Sequence, residues 1–177
     1  MENLEIVYKP SKGSRKYNFF NKEKQKYISE QWFDYCYNFV NEYAVVVLKN
    51  RYNFIDTNGK LISYKWYNYM SNFVNGFAQV RIGFKWNWIG TNGKILFPDK
   101  WFDYADNFSE GYAVIKLNDK WNFIDTNGNY ISEQWFERIS DFKDGYAYVE
   151  LDGKYNKINL KGDFKFDDFL PIDCIRV

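Results

Sequence analysis

Two aspartates, Asp56 and Asp125, stand at the same place in near-identical stretches, Arg51–Gly59 (RYNFIDTNG) and Lys120–Gly128 (KWNFIDTNG). Paired carboxylates are natural candidates for acid–base work in a chain without imidazole, and this chain has no histidine. A third copy, Lys85–Gly93 (KWNWIGTNG), holds Gly90 at that position, which removes a shared catalytic role. A carboxylate ahead of Thr-Asn-Gly is instead what an Asx-type turn requires. The absence of histidine also rules out Ser-His-Asp and Cys-His nucleophile systems. Two cysteines, Cys36 and Cys174, are too few for a tetrahedral Cys/His zinc site. The residues therefore predict no catalytic constellation, no metal and no cofactor, and the chain reads as a non-enzyme.

The other chemistry-bearing residues fall in columns. Lys16, Arg51, Lys85, Lys120 and Lys154 each open a signature stretch, followed by Tyr17, Tyr52, Trp86, Trp121 and Tyr155 at steps of 35, 34, 35 and 34 residues. Trp32, Trp66, Trp101 and Trp135 keep the same step. Such a period marks a repeat architecture, in which recurring residues are first of all building blocks. The signature aromatics read as core anchors. The cation column reads as a charged strand edge, or, stacked with aromatics, as a site for phosphate or single-stranded nucleic acid.

Composition bounds the partners. At 177 residues the chain can bury a substantial core, 23% of it is aromatic, and its net charge is only +1. No global field drives it onto nucleic acid or an anionic membrane. Mean hydropathy is -0.59, and no apolar run reaches membrane-spanning length. The opening MENLEIVYKP lacks the basic and apolar regions of a signal peptide, so a cytoplasmic location is expected. The bias toward Asn, Lys, Ile, Tyr and Phe is that of an AT-rich genome. Cys36 aligns with Met70, Ala105 and Ile139 in an apolar column, predicting a buried, inert thiol; Cys174 lies outside any complete repeat.

The elements that position these columns are legible as strands. Tyr43–Leu48, Phe77–Ile82, Tyr112–Leu117 and Tyr146–Leu151 alternate strictly, with one face fixed (Ala44, Val46, Leu48 and their counterparts) and the other variable. Two-residue turns of hairpin type follow, at Lys49-Asn50, Gly83-Phe84, Asn118-Asp119 and Asp152-Gly153. The signature strand comes next, then a Thr-Asn-Gly turn, then a third short strand predicted at Lys60–Ser63, Lys94–Phe97 and Asn129–Ser132. The connector that begins at the second Trp has room for one short helical turn. It repeats a phenylalanine (Phe39, Phe73, Phe108, Phe142) and, before each new strand, a bend residue: Glu42, Gly76, Gly111 or Gly145. Leu4–Tyr8 is expected to supply the strand missing from the first unit, followed by a mobile basic loop, PSKGSR.

This pattern of Lys-Trp-x-aromatic-Ile-Asp-x-x-Gly, aromatic-Asp and Phe-Ser-Glu-Gly-Tyr-Ala resembles the bacterial WG-repeat (KWG) family over roughly residues 16–160, best in Trp101–Gly128. The resemblance implies an all-β repeat with a binding role and no catalytic residues. One departure is systematic: Asn18, Asn53, Asn87, Asn122 and Asn156 stand where the family usually has Gly. Asparagine tolerates positive φ, so a preserved bend is the expectation. Lys120–Gly128 also resembles the hairpins of choline-binding and glucan-binding surface repeats, but the longer period and the N-terminus count against that relation.

The expected fold is all-β: tandem 34–35-residue antiparallel meanders stacked as a short solenoid-like array, with a small propeller as the alternative. It is read as one repeat domain over 1–177, with an N-terminal cap strand and loop at 1–15, about four repeats at 16–160 and a degenerate cap at 161–177. The expected function is non-enzymatic binding of another protein, as adaptor or stoichiometric inhibitor, with glycan or single-stranded nucleic acid as the alternative and no membrane partner. The binding residues singled out are Tyr35, Tyr69 and Tyr104, a column beside the Trp anchors that Arg138 closes, with Gln79, Arg81 and Trp88 as deviations in the middle copy; packing of the tyrosines on the neighbouring repeat is the alternative reading.

Overall fold

The structure, a computed structural model, describes residues 3–171. Every regular element among them is a β-strand, and the strands form five three-stranded antiparallel sheets. The first sheet joins β1 (Leu4–Ser11), β2 (Ser14–Asn21) and β3 (Lys26–Tyr27). Here the expected basic loop is absent. β1 and β2 pair from Leu4↔Asn21 to Ser11↔Ser14, because Lys12 and Gly13, both at positive φ, close the hairpin in two residues.

The other four sheets share one plan. They are β4 (Tyr35–Cys36), β5 (Tyr43–Leu48) and β6 (Arg51–Asp56); β7 (Tyr69–Met70), β8 (Phe77–Ile82) and β9 (Lys85–Gly90); β10 (Tyr104–Ala105), β11 (Tyr112–Leu117) and β12 (Lys120–Asp125); and β13 (Arg138–Ile139), β14 (Tyr146–Leu151) and β15 (Lys154–Asn159). The alternating and signature strands are where the sequence predicts them. The third strand is not. It is a dipeptide within the connector, preceding the long hairpin, where a helical turn had room to form. The segments after Thr-Asn-Gly make only single bridges, such as Ile55↔Leu61 and Ile124↔Tyr130. The turn itself explains this. Asp56 accepts from the amides of Asn58 and Lys60 at 2.9 Å each, as an Asx turn does, and Gly59 at φ 86° swings the chain away. A Cβ on Gly59 would lie 1.6 Å from the carbonyl oxygen of Ile28, so this turn rests directly on the backbone of the preceding sheet.

The five asparagines do something other than bend the chain. All lie within strands, at most 1% exposed and without positive φ. Each side chain clips the signature strand to the segment that follows. Asn122 Nδ2 donates to the carbonyls of Ser132 and Gln134 at 2.9 and 3.1 Å, and its Oδ1 accepts from the Phe123 amide at 2.8 Å. Asn18 makes the same set with Ser29, Gln31 and Phe19, and Asn53 with Ser63, Lys65 and Phe54. Buried backbone carbonyls that no ladder reaches are thereby satisfied.

Backbone contacts divide the chain into two compact units, one running to Phe84 and including Trp88–Leu96, the other comprising Lys85–Asn87 and the residues from Phe97 on. In the first, Phe19, Phe33, Cys36, Ala44, Val46 and Ile55 form a buried cluster. In the second, Phe123, Phe136, Ala147, Val149 and Ile158 do the same. The fixed face of each alternating strand thus enters the core, and the opposite face is covered in part by the connector phenylalanines. Phe39 lies 4.7 Å from Phe19, Phe73 stacks 4.3 Å from Phe54, and Phe142 lies 4.6 Å from Phe123. Burial pushes the Cys36 thiol up to about 12, the inert group that its column predicts.

Candidate functional site

The connector dipeptides decide what the uncovered part of that second face presents. Alternation turns Cys36, Met70 and Ala105 into the core and leaves Tyr35, Tyr69 and Tyr104 exposed, with Arg138 closing the column. Register then builds a row across each sheet. Tyr35 pairs with Val47 and Val47 with Tyr52; Tyr104 pairs with Lys116 and Lys116 with Trp121; Arg138 pairs with Glu150 and Glu150 with Tyr155. Tyr69 pairs with Arg81.

Each compact unit carries its own run of touching rings. In the first, Tyr17 lies 6.3 Å from Tyr8 and 5.5 Å from Tyr35, which in turn lies 4.9 Å from Tyr37. In the second, Tyr104 sits between Trp86 at 6.5 Å and Trp121 at 5.6 Å, and the Lys116 ammonium stands 5.5 Å from the Trp121 ring. These rings are packed yet open: Tyr35 is 48% exposed and Tyr104 38%. Burial raises the Tyr104 phenol, aided by the Asp106 carboxylate, which accepts its hydroxyl at 3.2 Å.

The signature aromatics are core anchors only in part: Tyr17 packs against the first buried cluster, but none of the five is fully buried. Tyr17, Tyr52, Trp86, Trp121 and Tyr155 are half-buried on the second face, whereas Phe33, Tyr67, Phe102 and Phe136 fill the interior. Their facing could have been found in the sequence. A two-residue hairpin turn places Trp121 opposite Lys116, a residue of the variable face.

Of the singled-out residues in the middle copy, Trp88 is 1% exposed and belongs to the core, because it occupies the interior position held by Phe54 and Phe123. Its larger ring fills volume and cannot meet a partner. Gln79 is buried as well, while Arg81 is half-buried across from Tyr69. Residues missed in the sequence include Tyr37, a neighbour of Tyr35, and Phe84, 89% exposed at a hairpin tip.

The cation column is largely neutralised. Lys16 pairs with Asp34, Lys85 with Asp103, and Lys120 with Glu137 at 3.2 Å. The same carboxylates accept turn amides: Lys49 to Asp34 at 2.6 Å and Asn118 to Asp103 at 2.8 Å. The lysine hydrogen bond first, and the amide second, hold Asp34 and Asp103 below the usual carboxylate range. Asn68 takes the amide-accepting role beneath Gly83, at 2.8 Å.

A profile described as the WG-containing repeat matches residues 54–86, 88–121 and 123–155, more than half of the chain. No curated protein matches the sequence. Among solved structures, Kluyveromyces lactis Hsv2 is similar at 12% identity and a TM-score of 0.45, covering 92% of this chain and 59% of its own. The Neurospora crassa Pan2 WD40 domain gives 12% identity and a TM-score of 0.37, covering 97% of this chain and 63% of that one. A Bacteroides caccae protein of unknown function gives 11% and 0.31, with 96% and 74% coverage. The chain thus spans about three-fifths of the length of Hsv2.

Proposed function

The chain belongs to the WG-containing repeat family, and from that premise we propose that it is a non-catalytic module that binds another protein through the aromatic rows on the second faces of its sheets. The observation that carries this reading is Tyr104, held between Trp86 and Trp121 and still open to solvent. A ring fixed by neighbours loses little freedom on binding, and a Tyr or Trp with an apolar body and a polar tip is a typical interface anchor. The role that suits such a chain is a cytoplasmic adaptor or stoichiometric inhibitor.

Binding of glycan or single-stranded nucleic acid uses the same stacking physics, but its electrostatic half is weakened here. Three of the five column cations already hold a carboxylate, and phosphate binding needs them free. The deciding experiment is capture from the native host's lysate with the tagged wild-type chain and with a Tyr35→Ala/Tyr104→Ala variant of unchanged circular dichroism, each with and without nuclease. A dominant protein that survives nuclease and moderate salt, and is lost with the variant, is the expected result. Loss of every partner on nuclease treatment would overturn the protein reading.

A further inference from the structure

In three copies the cation that opens the signature strand lies opposite a connector carboxylate and holds it: Lys16 with Asp34, Lys85 with Asp103 and Lys120 with Glu137. The same carboxylates accept an amide of the next hairpin turn, from Lys49, Asn118 and Gly153. The copy that opens at Arg51 breaks this arrangement. The bridge Tyr52↔Tyr67 sets Arg51 opposite Asn68, and Asn68 accepts the Gly83 amide at 2.8 Å. An amide side chain thus supports the turn and leaves the cation without its counter-charge. Among the described residues Arg51 forms no ion pair, and it is exposed.

The turn that Asn68 supports has changed as well. Lys49-Asn50, Asn118-Asp119 and Asp152-Gly153 hold positive φ at both places, which favours small polar residues and glycine. At Gly83-Phe84 only the glycine is positive, at 61°. A turn with glycine first frees its second place for a bulky side chain. Phe84 takes that place and is 89% exposed, with Ile82 38% exposed beside it. The corresponding Leu48, Leu117 and Leu151 are half-buried. A lone exposed apolar residue is ordinary on a protein surface, but this one coincides with the place where the supporting carboxylate is missing.

We propose that this tip is a second contact point for another protein, with Arg51 gripping a carboxylate of the partner and Phe84 entering an apolar recess beside it. The sister copies show what a column cation at this place holds, and here only an outside group can supply it. A guanidinium adds two parallel hydrogen bonds to a carboxylate, and a ring beside such a pair is a typical interface anchor. Lys85, next to Phe84, already holds Asp103. A lone guanidinium suits one carboxylate better than an anionic membrane or a phosphate backbone, both of which draw on clusters of free cations. Arg51 and Phe84 lie outside the aromatic rows, so this contact does not depend on them.

The test replaces Phe84 in the full chain by the photo-crosslinker p-benzoylphenylalanine and irradiates it in the native host's lysate with membranes retained. The same group at Tyr64, also 89% exposed and in the same compact unit, gives the background. A protein adduct above that background is expected, with an Asp or Glu within a few residues of the crosslinked position. Arg51→Glu in the same chain should cut its yield at least tenfold. Arg51→Gln, which removes the charge without reversing it, guards against misfolding and should lower the yield in the same direction. A yield no higher than at position 64, or one indifferent to both Arg51 variants, would overturn the proposal. So would an adduct with lipid or nucleic acid, with a second copy of this chain, or with a protein segment that holds no carboxylate.

Discussion

Asn122 satisfies three backbone groups that the sheet ladder leaves unmet, and this makes it more than a stand-in for glycine. Restoring the family's usual residue by Asn122→Gly should therefore destabilise the chain by about 2–4 kcal/mol, since buried carbonyls lose their donor. Urea unfolding measures this; a neutral outcome would mean that the position needs only backbone freedom. The carboxylates beneath the hairpin turns yield a second expectation. Asp34 and Asp103 have folded pKa values below their unfolded ones, so their contribution is fully present above the unfolded value of about 3.9 and disappears as pH falls through the folded value. Thermal midpoints should drop below about pH 4, and less so in an Asp34→Asn/Asp103→Asn variant. Both groups are solvent-accessible, which keeps the effect modest.

At the level of the element, the bend before each alternating strand is a two-residue turn with both φ values positive. Glu110-Gly111 and Asp144-Gly145 show it with glycine second, while Asn41-Glu42 imposes φ 70° on a glutamate. Replacing Glu42 by Gly should raise stability by about 0.5–1 kcal/mol, the left-handed penalty outweighing glycine's extra unfolded-state freedom. Calorimetry or denaturant melts would register it, and a loss would show that the glutamate side chain makes a contact worth more than its strain. The hairpins around these turns were legible in the sequence because one face of β5, β8, β11 and β14 hardly changes and the turn residues are specific. The third strands were not, since a dipeptide such as Tyr35–Cys36 has no periodicity to detect. Nor were the asparagine clips, because their acceptors lie 10 to 13 residues away, outside any local pattern. For the candidate site, the Tyr35 column was readable from its register. Trp88 misled because a substitution inside the core looks, in sequence, like one on a surface.

For the molecule as a whole, stability should be graded along the chain. In the second compact unit, Phe123 of β12 packs 4.6 Å from Phe142, whereas the matching residue of β15 is Lys157, whose ammonium lies 4.7 Å from the Tyr148 ring. Amides of β14 and β15 should exchange with solvent faster than those of β11 and β12, through opening of the last sheet alone. Hydrogen exchange read by mass spectrometry would resolve the two; equal rates would mean that the unit opens as one. The asparagine clips carry a further consequence, for synthesis on the ribosome. Every clip reaches forward, from Asn18 to Ser29 and Gln31 or from Asn156 to Phe166 and Asp168, and never more than 13 residues. A signature strand can be fastened as soon as that short stretch has left the exit tunnel, without waiting for the next repeat. Translation thus offers the chain a sequence of small closures in N-to-C order, each able to form before the following strand has emerged to compete for it.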